Sequence, residues 1–427
     1  MENTTTNSTL KVSKQAANLS GSAILKIAYA VKELIDKGEK IYNLTVGDFD
    51  PSQFPIPAEL KQEIINAYNE NQTNYPPSDG VSELKQSIVN YLKRRAKLDF
   101  DSDEIIVSGG ARPIIYGAYA SIVDPGDTVI YPVPSWNNNH YAYLFQAKSV
   151  VIEGKAENHF MPSADDIRPA MQDATLVAVC SPQNPAGTMF SRKGLEDICD
   201  LILEENKRRG EDRKPVYLLY DQIYYELTLK GNEHFTPISL RPEMKKYTIF
   251  TDGISKSLSA TGVRVGWGYG PKEVISKMKA FISHFGAWAP KAEQVAVSRF
   301  LANEKAYDSY IEAQRERIYV RSKGLHDGFQ QLKSEGFAVD SIEPQGALYL
   351  TVKFDLKGKT TSEGKVLAQT EDVTSYILNE AKLAAVPFYA FGTSTDSPWY
   401  RISIGTLAVE DIQTIIENLR RSLITLN

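Results

Sequence analysis

The chain has 427 residues, of which 42% are hydrophobic and 24% charged, and its formal net charge is -5. This length predicts two domains, or one large domain with a smaller lobe, and the composition is that of an ordinary globular protein. The acidic balance gives no reason to expect nucleic acid or an anionic membrane as a partner.

The N-terminal segment and the cysteines indicate a cellular compartment. The chain begins MENTTTNSTL, which lacks the basic segment and apolar core of a signal peptide, and about the first dozen residues are expected to form a mobile arm. No apolar run approaches the roughly 20 residues that a membrane helix needs. The two cysteines, Cys180 and Cys199, do not suggest a disulfide scaffold, so a reducing cytoplasm is the expected location.

Helical and strand-like patterns alternate along most of the chain. Apolar residues recur at helical spacing at about 22–37, 81–96, 111–123, 191–207, 271–283, 291–330 and 408–424. Between them lie short apolar runs bounded by turn residues, namely DTVIYP, ATLVAVCSP, VYLLYD and YTIFTDG. This alternation predicts an α/β fold with a mostly parallel sheet covered by helices on both faces. After about residue 331, the strand-like runs GALYLTV, AAVPFY and YRISIG, mixed with two helices, predict a smaller α+β lobe.

Polar residues that follow predicted strands are the first candidates for a site, because ligands of open α/β sheets bind at the carboxyl ends of the strands. The run Ser108-Gly-Gly110-Ala111-Arg112 leads from a strand into a helix, where bare amides can bind an anion, although it could also be a plain turn. Trp136, in YPVPSW, could stack on a flat cofactor or simply belong to the core.

The next two strands end in an amide and a carboxylate. Asn184, in SPQNPAG, offers both a hydrogen-bond donor and an acceptor, although proline, asparagine and glycine also build ordinary turns. Asp221, followed by Tyr224 in DQIY, comes directly after the apolar run VYLLY. A carboxylate there needs a partner, and a protonated pyridine nitrogen is one that would keep the ring an electron sink. A helix cap is the alternative for Asp221.

A lysine and an arginine complete the candidate set. Lys256 follows Ser255 in SKSLSATGVRVG, with Gly262 and Arg264 further along. A lysine just after a strand can form an imine when it is desolvated or near other cations, and Arg264 could hold a phosphate, although most single lysines are solvated surface residues. Arg401 lies inside the apolar run WYRISIG and needs an anion, which could be a substrate carboxylate or the partner in a structural ion pair.

In order and spacing, these six features resemble the class I/II aminotransferases of the aspartate aminotransferase superfamily, fold type I. The resemblance runs from about Leu19 to the last helix, and it includes TVGD at 45–48, NYPPSDG at 74–80, DPGD at 124–127 and PQGALYL at 344–350. It implies a pyridoxal 5′-phosphate enzyme that moves an amino group between an L-amino acid and a 2-oxo acid.

The resemblance also implies an assembly and a domain division. A homodimer with shared active sites is expected, without a metal. The expected domains are an N-terminal arm with part of the small domain at 1–50, a large cofactor-binding domain at 51–300 and a small C-terminal domain at 301–427.

Site roles follow from the same resemblance. Lys256 forms the imine with the cofactor and then moves the substrate proton, Asp221 pairs with the pyridine nitrogen, and Tyr224 and Asn184 bind the ring oxygen. Trp136 stacks on the ring. The phosphate is held by Gly110, Ala111, Arg112, Ser255 and Arg264, and by Tyr75 of the neighbouring subunit. The substrate α-carboxylate is bound by Arg401 and Asn184, with Gly47 closing over it.

Several positions depart from the family pattern. Arg112 stands where a lysine or glutamine is common, Gly253 lacks a serine hydroxyl found in some relatives, and Asp48 begins a variant of the usual Gly-Glu-Pro-Asp-Phe segment. Phe388 and Tyr389 replace smaller residues and are expected to reshape the wall near the substrate. These departures argue against assuming aspartate as the specific substrate, and no arginine or lysine can be assigned from the sequence to a second carboxylate.

Two other functions are compatible with the same features. A lyase or decarboxylase on this fold is the second candidate, because the cofactor stabilises the same carbanion and the protein selects the bond that breaks. A transcription regulator with this fold would need a DNA-binding domain ahead of it, whereas about twenty residues precede the first predicted helix. The aminotransferase is therefore the preferred prediction.

Overall fold

The structure, a computed structural model, describes residues 12–19 and 24–427. The predicted N-terminal arm therefore lies outside the described residues from position 1 to position 11. The strands are β1 Tyr42–Asn43, β2 Ile105–Ser108, β3 Thr128–Val133, β4 Lys148–Glu153, β5 Ala174–Cys180, β6 Tyr217–Asp221, β7 Thr248–Gly253, β8 Gly266–Tyr269, β9 Val339–Ser341, β10 Tyr349–Phe354, β11 Leu383–Ala384, β12 Val386–Pro387 and β13 Trp399–Ser403.

Helices separate most of these strands. They are α1 Lys14–Ala17, α2 Ile24–Asp36, α3 Ala58–Asn69, α4 Ser82–Tyr91, α5 Ala111–Ile122, α6 Asn138–Leu144, α7 Ala164–Met171, α8 Arg192–Arg209, α9 Pro237–Leu240, α10 Ile254–Ser257, α11 Lys272–Phe285, α12 Lys291–Ala302, α13 Glu304–Ser334, α14 Thr370–Glu380 and α15 Asp411–Ile424. No helix in the described part of the chain is long and apolar enough to cross a membrane.

A seven-stranded sheet forms the centre of the larger part of the molecule. Its strand order is β2-β8-β7-β6-β5-β3-β4, and only β8 runs antiparallel to its neighbours. Strand β5 is buried along nearly its whole length because both of its faces are covered. Leu176 and Ala178 pack towards α5 and α11, whereas Val177 and Val179 pack into the core that contains α4, α8 and α12. Successive side chains of a strand point to opposite faces, and because both faces of β5 are covered, its sequence is a continuous apolar run.

A smaller sheet lies in the C-terminal part of the chain. Its order is β12-β13-β10-β9, all antiparallel, and its core includes residues of α13, α14 and α15. Strand β1 pairs in parallel with β11, so a segment near the start of the chain joins this C-terminal part. The α/β class predicted from the sequence is confirmed.

Two local expectations differ from the structure. The helical pattern at 291–330 is divided into α12 and α13 at Asn303, whose side chain accepts a hydrogen bond from the amide of Ala306 at 3.3 Å. Such an N-cap starts a new helix because it satisfies one of the free amides of the first turn. The helix α3 and the strands β4 and β8 were not among the predicted elements.

Candidate active site

A cavity of about 520 Å³ opens at the carboxyl ends of β5, β6 and β7. It is the place where the separate sequence motifs meet. The predicted site residues on its wall are Gly47, Ala111, Arg112, Trp136, Asn184, Asp221, Tyr224, Ser255, Lys256, Arg264 and Arg401. Gly110, which precedes Ala111 and lies close to Arg264, is not part of the wall, and Tyr75 lies elsewhere on the surface.

Lys256 lies on the short helix α10, directly after β7. Its Nζ donates a hydrogen bond to the carbonyl oxygen of Gly47 at 2.6 Å. Burial lowers the pKa of Lys256 to about 8, and the positive charges of Arg401, Arg112 and Arg264 act in the same direction. The carboxylate of Asp48 opposes this shift. An amine with such a pKa is neutral often enough near pH 8 to act as a nucleophile or base.

Asp221 is the last residue of β6, and its carboxyl group faces the cavity. Its Oδ1 accepts a hydrogen bond from the amide of Ile223 at 3.1 Å, and no cation in the described part of the chain forms an ion pair with it. Burial raises the pKa of Asp221 to about 6. A carboxyl group in this condition gains from a cationic hydrogen-bond donor placed in the cavity.

Tyr224, Tyr349 and Gly47 form a close contact across the cavity wall. The hydroxyl groups of Tyr224 and Tyr349 are 2.9 Å apart, and both side chains are buried. A Cβ on Gly47 would lie 2.6 Å from the Tyr349 hydroxyl oxygen, so a side chain at position 47 would displace the tyrosine. The segment that carries Gly47 and the strand β10 therefore approach each other at the site.

Arg401, on β13, is buried with 3% of its surface exposed. Its guanidinium group donates to Asn184 Oδ1 at 3.1 Å and to the carbonyl oxygen of Thr45. It also lies 4.7 Å from the ring centre of Tyr349 and 4.8 Å from that of Phe391. Burial lowers the pKa of Arg401, and its Nε has no hydrogen-bond partner among the described residues.

The turn before α5 is held by Arg264. The Nη2 of Arg264 donates to the carbonyl oxygen of Gly109 at 2.8 Å, and its Nη1 donates to that of Thr261 at 2.6 Å. Gly110 has a φ of 102°, and a Cβ there would lie 2.2 Å from Arg264 Nη2. Glycine is required at position 110 for both reasons. The first amides of α5 and the guanidinium group thus face one region, which suits an anion.

Trp136 and Arg112 form another part of the wall. The Arg112 guanidinium carbon lies 5.6 Å from the ring centre of Trp136, within cation-π range. The Trp136 ring is also 6.3 Å from that of Phe391. Trp136 is half-buried and lines the cavity, so it is not only a core residue.

Besides Gly110, three sequence-predicted positions are not on this wall. Tyr75 is 83% exposed and its ring contacts Trp288 at 5.7 Å between centroids. Phe388 is fully buried, packed against Phe160, and Tyr389 is outside the cavity lining as well. Phe388 and Tyr389, which were expected to reshape the wall near the substrate, are therefore not part of the wall themselves. Phe388 contacts Phe391, whose ring lies against the wall residues Arg401 and Trp136.

The structure also brings into the site residues to which no role was assigned from the sequence. Asp48 accepts a hydrogen bond from the Thr261 hydroxyl at 2.8 Å and lies near Lys256. Cys180 ends β5 opposite Asp221, and burial raises the pKa of its thiol. Tyr349 belongs to the PQGALYL segment, and the match of this segment to the family pattern was the sequence signal that could have indicated its role. For Asp48, the corresponding signal was its place after Gly47 in the matching segment TVGD.

This set of groups fits a flat, phosphorylated pyridine. Asp221 offers an unpaired carboxyl group to a ring nitrogen, and the glycine turn with Arg264 offers a cradle for the phosphate. Lys256 offers an amine of lowered pKa in the same cavity. No described cluster of histidine, cysteine, aspartate or glutamate side chains has the arrangement of a metal site.

Comparison with known proteins agrees with this chemistry. The family model described as aminotransferase class I and II matches residues 39–419. An aspartate aminotransferase of Geobacillus stearothermophilus is 30% identical over 422 residues, which cover 96% of this chain and 98% of that protein. An aspartate aminotransferase of Rhizobium meliloti (strain 1021) is 30% identical over 393 residues, which cover 91% and 90%.

Comparison with solved structures shows that the fold is also that of aspartate aminotransferases. The aspartate aminotransferase of Rhizobium meliloti matches with a TM-score of 0.89 and 27% identity, covering 98% of this chain and all (100%) of that one. The enzyme of Thermus thermophilus with maleate matches with a TM-score of 0.84 and 26% identity, covering 97% and 100%. The fold is therefore fold type I, and the chain belongs to the class I and II aminotransferases, which are pyridoxal 5′-phosphate-dependent transaminases.

Proposed function

We propose that the cavity is the transamination site and that Lys256 is the lysine that binds the cofactor. The observation that carries this proposal is that one cavity contains three groups: a half-buried amine with its pKa lowered to about 8, the carboxyl group of Asp221, which has no ion-pair partner among the described residues, and the buried guanidinium group of Arg401.

Each polar group on the wall has a task in this proposal. Pyridoxal 5′-phosphate, when bound, supplies an electron sink that stabilises negative charge at the substrate Cα. Asp221 keeps the ring nitrogen protonated, and Tyr224 and Asn184 donate hydrogen bonds to the ring oxygen. Lys256 Nζ takes the proton from the substrate Cα and returns it, for which its lowered pKa is suited.

The remaining groups bind the cofactor and the substrate and orient them. Trp136 covers one face of the ring. The phosphate is held by the turn of Gly110, Ala111 and Arg112, by Ser255 and Arg264, and by Tyr75 of the neighbouring subunit. Arg401 and Asn184, already hydrogen-bonded to each other, bind the α-carboxylate of the substrate, with Gly47 closing the site over it.

The domain division proposed from the sequence is consistent with the arrangement of the sheets. All strands of the seven-stranded sheet lie between Ile105 and Tyr269, inside the proposed large domain at 51–300. The strands of the smaller sheet lie between Val339 and Ser403, inside the small domain at 301–427. The pairing of β1 with β11 supports assigning part of 1–50 to the small domain.

We also propose a cytoplasmic homodimer. The two cysteines, Cys180 and Cys199, are both free, which suits a reducing compartment. The family resemblance assigns Tyr75 to the phosphate of a neighbouring subunit, and its exposure away from the cavity of its own subunit is compatible with that role. The names of the relatives make aspartate with 2-oxoglutarate the first substrate pair to assay.

Spectroscopy and mass spectrometry test the assignment of Lys256. The purified protein should absorb in the visible, and borohydride should fix the cofactor to the peptide that contains Lys256. A panel of amino acids should then show amino-group transfer to 2-oxoglutarate. Lys256→Ala should lose both properties, and Lys272→Ala, an exposed lysine paired with Asp103, should keep both. Reducible attachment of the cofactor in Lys256→Ala would refute the assignment, and release of CO₂ or a cleaved side chain would favour the decarboxylase or lyase.

A further inference from the structure

Tyr349 lies on the cavity wall and contacts residues from both parts of the proposed site. Its side chain is 1% exposed, and its hydroxyl oxygen lies 2.9 Å from that of Tyr224. The two rings meet edge to face, with their centres 5.6 Å apart. A second contact is with Arg401, whose guanidinium carbon lies 4.7 Å from the centre of the Tyr349 ring. Tyr349 therefore touches one residue proposed to bind the cofactor and one proposed to bind the substrate.

The direction of the hydrogen bond between the two hydroxyl groups follows from counting their hydrogens. Each hydroxyl group has one hydrogen to donate, and the distance alone allows either tyrosine to be the donor. In the proposed function, Tyr224 donates its hydrogen to the ring oxygen of the cofactor, so the hydrogen between the two tyrosines must come from Tyr349. Burial raises the pKa of both hydroxyl groups, so both keep their hydrogens at neutral pH. The other titratable groups whose charges act on them are Asp48, Cys180, Asp221 and Arg401.

The surroundings of the Tyr349 hydroxyl group keep it in this place. A Cβ on Gly47 would lie 2.6 Å from its oxygen, so the backbone of Gly47 closes one side. Within the part of the chain that the structure describes, Tyr224 is its hydrogen-bond partner. Arg401 does not compete for it, because the terminal nitrogens of the guanidinium group donate to other oxygen atoms. Arg401 therefore contacts the ring face of Tyr349 and not its hydroxyl group.

From these contacts we propose that Tyr349 is a positioning residue for transamination, which acts through Tyr224 and Arg401. Its hydroxyl group donates to Tyr224 and thereby directs the Tyr224 hydrogen towards the ring oxygen of the cofactor. Its ring fixes the plane of the Arg401 guanidinium group, which forms no ion pair with a carboxylate of the described residues. The inference rests on the proposed function, and it assigns the two tasks to different atoms of one side chain.

The visible absorbance of the holoenzyme, titrated with pH, tests the task of the hydroxyl group. Hydrogen bonds to the ring oxygen stabilise negative charge there, so they favour the form of the Lys256–cofactor linkage that has lost its proton. Tyr349→Phe should therefore raise the titration midpoint by about 0.5–1 pH units, the size of one hydrogen bond. Tyr224→Phe should raise it at least as much. In the double variant, Tyr349→Phe should add no further shift, since its effect passes through Tyr224.

Binding of butyrate, a monocarboxylate without an amino group, tests the task of the ring. Tyr349→Phe keeps the ring beside Arg401 and should change the butyrate dissociation constant of the holoenzyme by less than about twofold, whereas Tyr349→Leu should raise it by roughly threefold to thirtyfold. Tyr376→Phe is the matched control. The buried Tyr376 hydroxyl donates to the carbonyl oxygen of Ser422 at 2.7 Å, away from the cavity, so neither the midpoint nor the butyrate constant should change.

The outcomes separate this inference from the function on which it rests. A shifted midpoint in Tyr224→Phe with an unshifted one in Tyr349→Phe would overturn the inference, as would shifts that add in the double variant. Equal butyrate binding by Tyr349→Leu and wild type would also overturn it and leave the proposed function standing. An unshifted Tyr224→Phe would contradict the proposed role of Tyr224 itself, and a cofactor that stays covalently attached in Lys256→Ala would contradict the proposed function. Either result would overturn the inference as well.

Discussion

Arg401 is a buried cation on the cavity wall that has no counter-charge among the described residues. Only amide and carbonyl oxygens and two aromatic rings contact its guanidinium group, and the residues that the structure describes supply no carboxylate within ion-pair distance. A buried cation without a counter-charge is costly, so an incoming carboxylate stabilises it. The structural ion pair that the sequence left open is therefore not formed in the described chain.

The substitution Arg401→Lys tests this assignment at the residue scale. The lysine keeps the charge but loses the forked geometry, which should cost about 1.5–3 kcal/mol, or roughly a ten- to hundredfold fall in kcat/KM. The loss should be similar for every donor because all amino acids share the α-carboxylate. Steady-state kinetics with three chemically different donors measures it. Unchanged kcat/KM with a lower melting temperature would instead indicate a purely structural arginine.

Asp221 makes a prediction about the cofactor-free protein. Burial raises its pKa from the ordinary 3.8 to about 6, so between these values the folded state binds more protons than the unfolded state. Stability contributed by this group is thus present below about pH 4 and lost as pH rises through about 6. Asp221→Asn stays neutral and can still accept from Ile223. It should therefore stabilise the apoprotein above pH 6 by up to about 3 kcal/mol and by nothing near pH 4.

Urea unfolding of the two apoproteins at several pH values measures this difference. The substitution that stabilises the apoprotein should lower the activity of the holoenzyme, since the variant lacks the carboxylate for the ring nitrogen. A stability difference that stays constant from pH 4 to pH 8 would show that the Asp221 carboxyl group is not the cause.

At the scale of elements, the strands predicted from the sequence are those whose burial produces continuous apolar runs. Strands β5, β6 and β7 were predicted because both of their faces are covered, which demands continuous apolar runs. Strand β8 was not predicted because its sequence, GWGY, has two glycines. The structure supplies the reason for them: a Cβ on Gly266 would lie 2.5 Å from the carbonyl carbon of Gly110, and one on Gly268 would lie 2.4 Å from Ile114. These glycines serve the close packing of α5, which strand propensity does not describe.

The contact between the segment of Gly47 and strand β10 is also specific enough to test. A methyl group at position 47 would meet the Tyr349 hydroxyl, which is held by Tyr224 and cannot easily move aside in a packed wall. Gly47→Ala should therefore shift the carbonyl oxygen that accepts from Lys256 and lower kcat/KM by about tenfold or more for all donors. Gly262→Ala is the control, because its Cβ would meet nothing within 4 Å. Equal activity of the two variants would contradict the tight contact.

At the scale of the whole molecule, the sequence predicted which residues meet at the cavity better than it predicted the contacts between them. Residues that end strands could be predicted to converge, because the carboxyl ends of parallel strands share one edge. The roles of Asp48 and Tyr349 could not, since their contacts join segments far apart in sequence, such as Tyr224 with Tyr349 and Asp48 with Thr261. Only the folded arrangement of the two sheets brings these pairs together. For the same reason, Phe388 was expected to reshape the substrate wall directly, although it packs inside the core.

The position of Tyr75 links the site to the assembly. Its side chain is almost fully exposed and is not on the wall of its own cavity, so a role in catalysis requires a second copy of the chain. If Tyr75 donates a hydrogen bond to the phosphate across a two-fold interface, Tyr75→Phe should raise the cofactor dissociation constant by roughly tenfold to a hundredfold. Sedimentation of the wild type should show a dimer, and a fully active monomer would exclude this arrangement.

Mixed dimers decide whether Tyr75 acts across the interface. Lys256→Ala and Tyr75→Phe subunits are co-expressed with different affinity tags, and the hybrid is isolated by both tags in turn. A shared site would contain Lys256 from the Tyr75→Phe subunit and Tyr75 from the Lys256→Ala subunit, so one site of two is native and the hybrid should regain about half of the wild-type activity at limiting cofactor. If Tyr75 acted within its own subunit, no native site would form, and the hybrid would show only the residual activity of one Tyr75→Phe site.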